Sequence, residues 1–165
     1  MESTVLGAAL ALLRDVTPLK TDCGAYCFAA CCKDNGEAGS GVWLLDGENA
    51  DHMEWAKKYE TRLPVTGQSV KAVYCLRPCR REARPFLCRI FPLTPYYSHK
   101  KQRWSVRMDR RAAAICPLFP YGKNALTPEF VSACEEAVNL LATDKNYEEQ
   151  LKALEAEEAA FRMEL

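Results

Sequence analysis

Cysteine is the residue type whose number and spacing give this sequence a chemistry. The chain has 165 residues and nine cysteines. Soft thiolates bind zinc, copper(I) and iron–sulfur clusters, and four thiolates around one ion form the closed tetrahedral site of structural zinc proteins. Two clusters and one downstream segment therefore supply candidate metal ligands, which are Cys23, Cys27, Cys31, Cys32, Cys75, Cys79, Cys88 and Cys116.

The spacing within the clusters also favours metal binding. Gaps of three residues fall within the range that is usual between paired zinc ligands. Such a gap is about one helical turn, so Cys23, Cys27 and Cys31 are predicted to share a helix face. Cys31 and Cys32 point in different directions in any regular backbone, which favours two neighbouring ions over one. The eight thiols suffice for two four-thiolate sites or for one four-iron cluster.

Two other states of the clustered cysteines are weaker explanations. Free cysteines are often buried and inert, but these clusters are dense and have charged and polar neighbours. A disulfide framework requires an oxidising compartment. The start of the chain predicts a helix and not a signal peptide, and no apolar run reaches the length of a membrane span. We therefore expect a cytoplasmic protein that does not enter a membrane.

Periodicity predicts the elements that must position these cysteines. Apolar residues recur at helical spacing in 3–15, in 49–61 and after Thr127, where Cys134 falls on the apolar face and is predicted to be a core thiol. Alternating aromatic and polar residues around "HKKQ" predict a β-hairpin. The fold expected is a single, mainly α domain over 1–165, with cysteine-rich irregular loops and a β-hairpin organised around metal. Its metal core should span about 21–120 and its C-terminal helical segment 127–165.

Charge is divided unevenly along the chain. Residues 71–111 hold twelve Lys and Arg against two acids, whereas 129–165 hold ten acids against three bases. The basic segment can offset thiolate charge, mainly through Arg84 and Arg89 with help from their arginine neighbours Arg77, Arg80 and Arg81. It could instead bind nucleic acid through stacking residues, but aromatic residues of a hairpin are more often packing residues; the three concerned are Tyr96, Tyr97 and Trp104. The acidic segment is expected to be a solvated helix face or to pack against the basic segment.

The second cluster carries the most specific resemblance. The chain has Cys31-Cys32, then Cys75 and Cys79, then "RPFLCRIFP" over 84–92, and finally Cys116-Pro117. This arrangement over roughly 21–120 resembles the YkgJ-type (CxxCxxCC) family of zinc- or iron-chelating proteins. The first cluster departs from that family by its three-residue gaps, where the family has two. The resemblance implies the same eight metal ligands, with Cys88 among them.

The sequence indicates a general class of function and no specific activity. The sequence favours a metal-binding protein whose cysteine thiolates chelate zinc or iron. An iron–sulfur redox or electron-transfer protein is the alternative, and a metal-dependent enzyme of unknown substrate is the third. His52 and His99 stand apart from the clusters and are expected at the surface, and no known catalytic motif marks a general acid or base. A protein partner is compatible with this interpretation, nucleic acid is disfavoured, and the oligomeric state is not predicted.

Overall fold

A computed structural model describes residues 4–32, 41–53, 56–77 and 79–163. Helices take up 46% of this part of the chain and strands 19%. The α-helices are α1 (Thr4–Leu12), α2 (Cys23–Cys27), α3 (Phe86–Ile90), α4 (Pro128–Leu141) and α5 (Lys145–Met163). The strands are β1 (Val42–Trp43), β2 (Ala56–Arg62), β3 (Ser69–Cys75), β4 (Leu93–Ser98) and β5 (Arg103–Met108). Short 3-10 turns connect them at Ala30–Cys32, Arg81–Ala83, Arg110–Ala114, Phe119–Tyr121 and Lys123–Ala125.

The main hydrophobic core lies between helices and the β4–β5 hairpin. Helix α1 packs on α4, while α4 and α5 pack on β5 and β4 respectively. Helix α4 begins after Thr127, as predicted, and Thr127 caps it because its hydroxyl accepts a hydrogen bond from the Phe130 N–H at 3.4 Å. Phe130 and Cys134 are fully buried on the apolar face of α4. Cys134 is therefore a core residue, as predicted.

The predicted hairpin is confirmed, and a second sheet accompanies it. Strands β4 and β5 are antiparallel, with Tyr97 opposite Trp104. The second sheet has the order β1–β3–β2, and all its neighbours are antiparallel. A small separate cluster of buried apolar side chains, including Met53 and Val73, lies against this sheet, and Cys75 and Cys79 pack on it.

The prediction of a mainly α fold is wrong. Part of segment 49–61, predicted to be a helix, forms β2, in which Tyr59 lies opposite Ala72 of β3. Lys and Glu have good helix propensity, but pairing with the apolar strand β3 overrides a local preference of this size. The described residues thus form two small antiparallel sheets beside the helices.

Organisation of the fold around metal is also a wrong prediction. The large buried side chains of the core are hydrocarbon groups, such as Phe86, Ile90 and Val106, and they belong to helices and strands rather than to cysteine-rich loops. Burial of this apolar surface supplies a driving force for folding that does not depend on a bound ion. Any bound metal would therefore occupy a local site and would not organise the whole fold.

The acidic helix α5 packs against the rest of the chain. Glu158 is fully buried and pairs with Arg107 of β5, and Glu155 accepts a hydrogen bond from the Tyr97 N–H at 3.2 Å. Glu157 accepts hydrogen bonds from the N–H groups of Val65 and Thr66 at 2.9 and 3.1 Å. Of the two expectations for the acidic segment, the structure favours packing against the basic hairpin. Among the described helices, none combines the length and apolar character needed to cross a bilayer.

Candidate metal centre

The eight predicted ligands line two adjoining cavities. The smaller one, of about 30 Å³, is here called the small cavity, and the other, of about 480 Å³, the large cavity. The cysteines lining the small cavity are Cys23, Cys27, Cys31, Cys88 and Cys116. Those lining the large cavity are Cys31, Cys32, Cys75, Cys79 and Cys88. Cys31 and Cys88 border both, so the two cavities share a thiol wall.

The first cysteine cluster does not form one continuous helix face. Helix α2 begins after Asp22, whose carboxylate accepts a hydrogen bond from the Gly24 N–H at 3.0 Å, and it ends at Cys27. Phe28 and Ala29 follow with φ angles of 52° and 53°, in the left-handed region that residues other than glycine seldom occupy. This reversal, and not helical periodicity, brings Cys31 to the cavity that Cys27 lines.

The adjacent thiols Cys31 and Cys32 differ in exposure. Cys31 is exposed and borders both cavities, whereas Cys32 is buried and borders only the large one. The two thiols nevertheless hydrogen-bond to each other and both border the large cavity, so the expectation that they point in different directions is not met.

The segment "RPFLCRIFP" places Cys88 between the two cavities. It forms the short helix α3, whose Phe86 and Ile90 are fully buried in the main core. Phe91 lines both cavities beside Cys88. The apolar residues of this segment thus fix α3 in the core, while Cys88 faces away from it toward the other thiols.

The arginines of this region have two separate roles. Arg89 is a backbone clamp: it donates hydrogen bonds to the carbonyl oxygens of Arg84 at 2.8 Å, Glu82 at 2.8 Å and Leu10 at 3.1 Å. Arg80 is exposed and pairs with Glu82. Neither arrangement corresponds to the predicted role of offsetting thiolate charge.

Arg81 and Arg84 are the arginines that border the thiols. Arg84 lines both cavities and donates a hydrogen bond to the Cys79 carbonyl oxygen at 3.3 Å. Arg81 lines the small cavity. The Nε atoms of both side chains are buried and make no hydrogen bond to the described part of the chain. Two half-buried guanidinium groups beside a set of thiols favour thiolate, the charged form of cysteine that binds metal.

The environment moves the thiol pKa values in opposite directions. Burial raises the pKa of Cys88 to about 12, and burial also raises the pKa of Cys23 and of Cys116. Hydrogen bonds from Cys32 and Cys75, together with the Arg84 guanidinium, hold the pKa of Cys79 well below its usual range. The set therefore contains both readily ionised and protonated thiols, and a bound metal ion would deprotonate the latter.

The thiols converge without closing around a common point. Within 4–32, 41–53, 56–77 and 79–163, no group of three or more His, Cys, Asp or Glu side chains is arranged so that it could hold one metal ion. The donor chemistry suits zinc or iron, since all eight side chains are sulfur ligands. Ion binding would thus require the thiols to move toward one another.

Four polar or aromatic residues of the large cavity were not predicted from the sequence. Besides the cysteines, the cavity is lined by Trp43, Thr94, Asp109 and Arg111. Asp109 caps the 3-10 turn Arg110–Ala114 by accepting a hydrogen bond from the Arg111 N–H at 2.9 Å. An aspartate before a short helix is a capping signal in the sequence, but nothing local indicates that it borders a cavity.

The other candidates from the sequence lie elsewhere. His52 and His99 are exposed, as expected, and neither lines the two cavities. Trp104 is buried, and its ring packs edge-on against Tyr97 with centroids 5.8 Å apart. A buried indole cannot stack on a nucleic-acid base, so Trp104 is a packing residue of the hairpin.

Comparisons with known proteins do not assign the chain to a family. No family model, no curated protein and no solved structure matches the chain. The resemblance to the YkgJ-type family remains a prediction from the motif.

Proposed function

We propose that the protein binds zinc or iron through the thiolates that line the two cavities. The observation that carries the proposal is convergence: four separate segments of the chain bring eight of the nine cysteines to two cavities with a common wall. Inert core thiols are expected to scatter through the apolar interior, as Cys134 does.

The charges around the cavities support thiolate rather than thiol. Arg84 borders both cavities, and its Nε is buried without a hydrogen-bond partner among the described residues. Removing part of a cation from water is costly, so a negative group beside the half-buried Arg84 is favoured. Each four-thiolate zinc ion would carry a charge of about −2, which Arg84 and Arg81 are placed to offset.

The sizes of the cavities suit different contents. The small cavity of about 30 Å³ has room for roughly two water molecules, and hence for a single ion. The large cavity of about 480 Å³ exceeds what one ion needs. An iron–sulfur cluster held from this side is the second candidate function, because five cysteines line that cavity.

The cellular setting follows from the same thiols. Zinc- or iron-binding cysteines must stay reduced, so we expect the protein to work in a reducing compartment, the cytoplasm. A protein partner also remains a prediction from the sequence.

Elemental analysis of protein purified without oxygen and without affinity metals tests the proposal. We expect zinc or iron bound at about one ion per four thiolates. Zinc without visible absorbance would indicate thiolate ion sites. Iron with acid-labile sulfide and absorbance near about 400 nm would indicate a cluster and a redox role. No bound metal, with all eight thiols free to react, would overturn the proposal.

Matched variants locate the metal. Cys88→Ala removes a thiol shared by both cavities and is expected to lower the metal content by about half or more. Cys134→Ala is the control, because Cys134 is a buried core thiol that lines neither cavity. Equal metal loss in the two variants would indicate unfolding and not ligand removal, and far-UV circular dichroism of both distinguishes these cases.

A further inference from the structure

We propose that the large cavity, on the side of Trp43 and Arg111, binds a small organic carboxylate with an apolar body. The cysteines line the same cavity, so a ligand there would lie beside the proposed metal. The inference depends on the proposed function only in placing a metal next to the ligand, because the proposed contacts to the carboxylate involve none of the eight thiols.

Size and lining indicate a small-molecule site. The cavity volume of about 480 Å³ lies within the range typical of ligand-binding cavities, roughly 300–1,000 Å³. Much of its wall is apolar, formed by Val42, Val73, Leu87, Phe91 and Leu93. A mostly apolar cavity with a few fixed polar groups favours a ligand with an apolar body over an inorganic anion.

Arg111 is held in a fixed position at this wall. Its Nη2 donates to Oδ2 of Asp109 at 2.6 Å, and its Nε donates to Oδ1 at 2.9 Å. Its guanidinium carbon lies 5.1 Å from the centre of the Trp43 ring, at cation–π distance. A guanidinium fixed on two sides has little conformational freedom to lose when a ligand binds.

One edge of the Arg111 guanidinium remains available. Its Nη1 makes no hydrogen bond to the described part of the chain, and the side chain is 36% exposed. Both carboxylate oxygens of Asp109 are occupied by Arg111 itself. The pair therefore offers a ligand free N–H donors and few free acceptor positions.

The free N–H donors of Arg111 favour an anion. Arg84 also lines this cavity, and its buried Nε is without a partner among the described residues. Arg84 lies beside the Cys79 thiol and is placed to offset thiolate charge, so Arg111 is the guanidinium with donors left for a ligand. Guanidinium matches the planar geometry of a carboxylate better than any other side chain does.

Titration with benzoate, using benzamide as its neutral isostere, tests this site. Binding to the full chain is followed by ligand-observed NMR and by the shift of the Trp43 indole resonance, assigned with a Trp43→Phe variant. We expect benzoate to bind at least about tenfold more tightly than benzamide, since only the anion makes a charge-assisted hydrogen bond. Equal binding of the two compounds, or no binding of benzoate, would overturn the inference.

Arg111→Gln and Arg110→Gln form a matched pair of variants. Arg110 is the neighbouring arginine in the same turn and does not line the cavity. We expect Arg111→Gln to weaken benzoate binding about tenfold or more and Arg110→Gln to leave it unchanged. Unchanged affinity in folded Arg111→Gln contradicts the inference.

Arg111→Gln leaves the buried Asp109 without its ion pair and could prevent folding. A cavity-filling variant therefore provides a second test of the site. Val42→Trp on the edge strand β1 fills the cavity while the Asp109–Arg111 pair is kept, and it should abolish benzoate binding. Val65→Trp, at an exposed turn, is its control. Full binding by Val42→Trp would show that benzoate does not occupy the cavity.

Metal content measured on the same samples separates this inference from the proposed function. Benzoate binding that survives Arg111→Gln but disappears on chelation would place the carboxylate on the metal, which overturns the cavity inference and supports metal binding. Benzoate binding that depends on Arg111 in a protein without metal would support the cavity inference and overturn the proposed metal binding.

Discussion

Arg107 of β5 and Glu158 of α5 form an ion pair whose carboxylate is completely buried, with Nη2 and Oε2 2.5 Å apart. The guanidinium carbon of Arg107 lies 4.7 Å from the centre of the Tyr96 ring. The pair joins the C-terminal helix to the hairpin and accounts for a fully buried glutamate at their interface. It also gives the charge asymmetry of the chain a structural role, since a basic strand and an acidic helix meet here.

Breaking this pair should destabilise the protein strongly. Glu158→Gln leaves the Arg107 guanidinium without its counter-charge at a largely buried position, so we expect a loss of about 2–4 kcal/mol in the free energy of unfolding. Urea unfolding followed by circular dichroism measures it. Glu148→Gln is the control, because the Glu148–Lys152 pair is exposed and should contribute about 0.3–0.5 kcal/mol. Similar losses in both variants would contradict the interpretation.

Glu135 should make stability depend on pH. Burial acts to raise its pKa, but the Ser105 hydroxyl at 2.5 Å and the cations Lys101, Lys123 and Arg103 outweigh burial and lower it. A carboxyl whose pKa is lower in the folded state contributes stability above its unfolded pKa. That contribution is lost as pH falls through the folded value, that is, below about pH 4.3.

The variant Glu135→Gln tests this dependence. At neutral pH we expect it to lose about 1–2 kcal/mol of stability, and the difference from the parent protein should shrink in acid. Glu136→Gln, at the exposed neighbouring position, should follow the parent protein throughout. Urea unfolding between pH 7 and pH 3 decides, and a difference that grows as the pH falls would refute the assignment.

Cys134 should behave as a packing residue. Its thiol is fully buried in α4, and burial raises its pKa. Cys134→Ala creates a small cavity, so we expect a loss of about 1–2 kcal/mol without a change in bound metal. Cys134→Ser should cost more, because it buries a hydroxyl in an apolar site. Thermal unfolding and elemental analysis check this, and metal loss in folded Cys134→Ala would show that the thiol is a ligand.

Removal of metal should leave the main core folded. That core is formed by apolar side chains of the helices and the β4–β5 hairpin, whereas Cys75 and Cys79 pack on the small cluster around Met53 and Val73. After chelation we expect retained far-UV circular dichroism, with faster hydrogen exchange confined largely to β3 and the cysteine segments. Complete unfolding on chelation would restore the rejected view of a fold organised around metal.

Local sequence patterns determined several parts of this structure. The apolar stripe and the Thr127 cap define α4, and alternation defines the β4–β5 hairpin, because these signals arise from neighbours a few residues apart. The burial of Cys134 follows from the same periodicity. The sequence also singled out the eight cysteines that line the cavities by type and spacing alone, although no ion is shown to bind them.

Tertiary structure alone decided the rest. Strand β2 exists because it pairs with β3, a contact between segments that no local pattern of Lys and Glu reveals. Cys31 reaches the cavities through left-handed residues at Phe28 and Ala29, which no glycine marks in the sequence. The Trp43–Arg111 wall unites positions nearly seventy residues apart. Packing between distant segments creates such a cavity, so its existence is a property of the folded chain and of no single stretch within it.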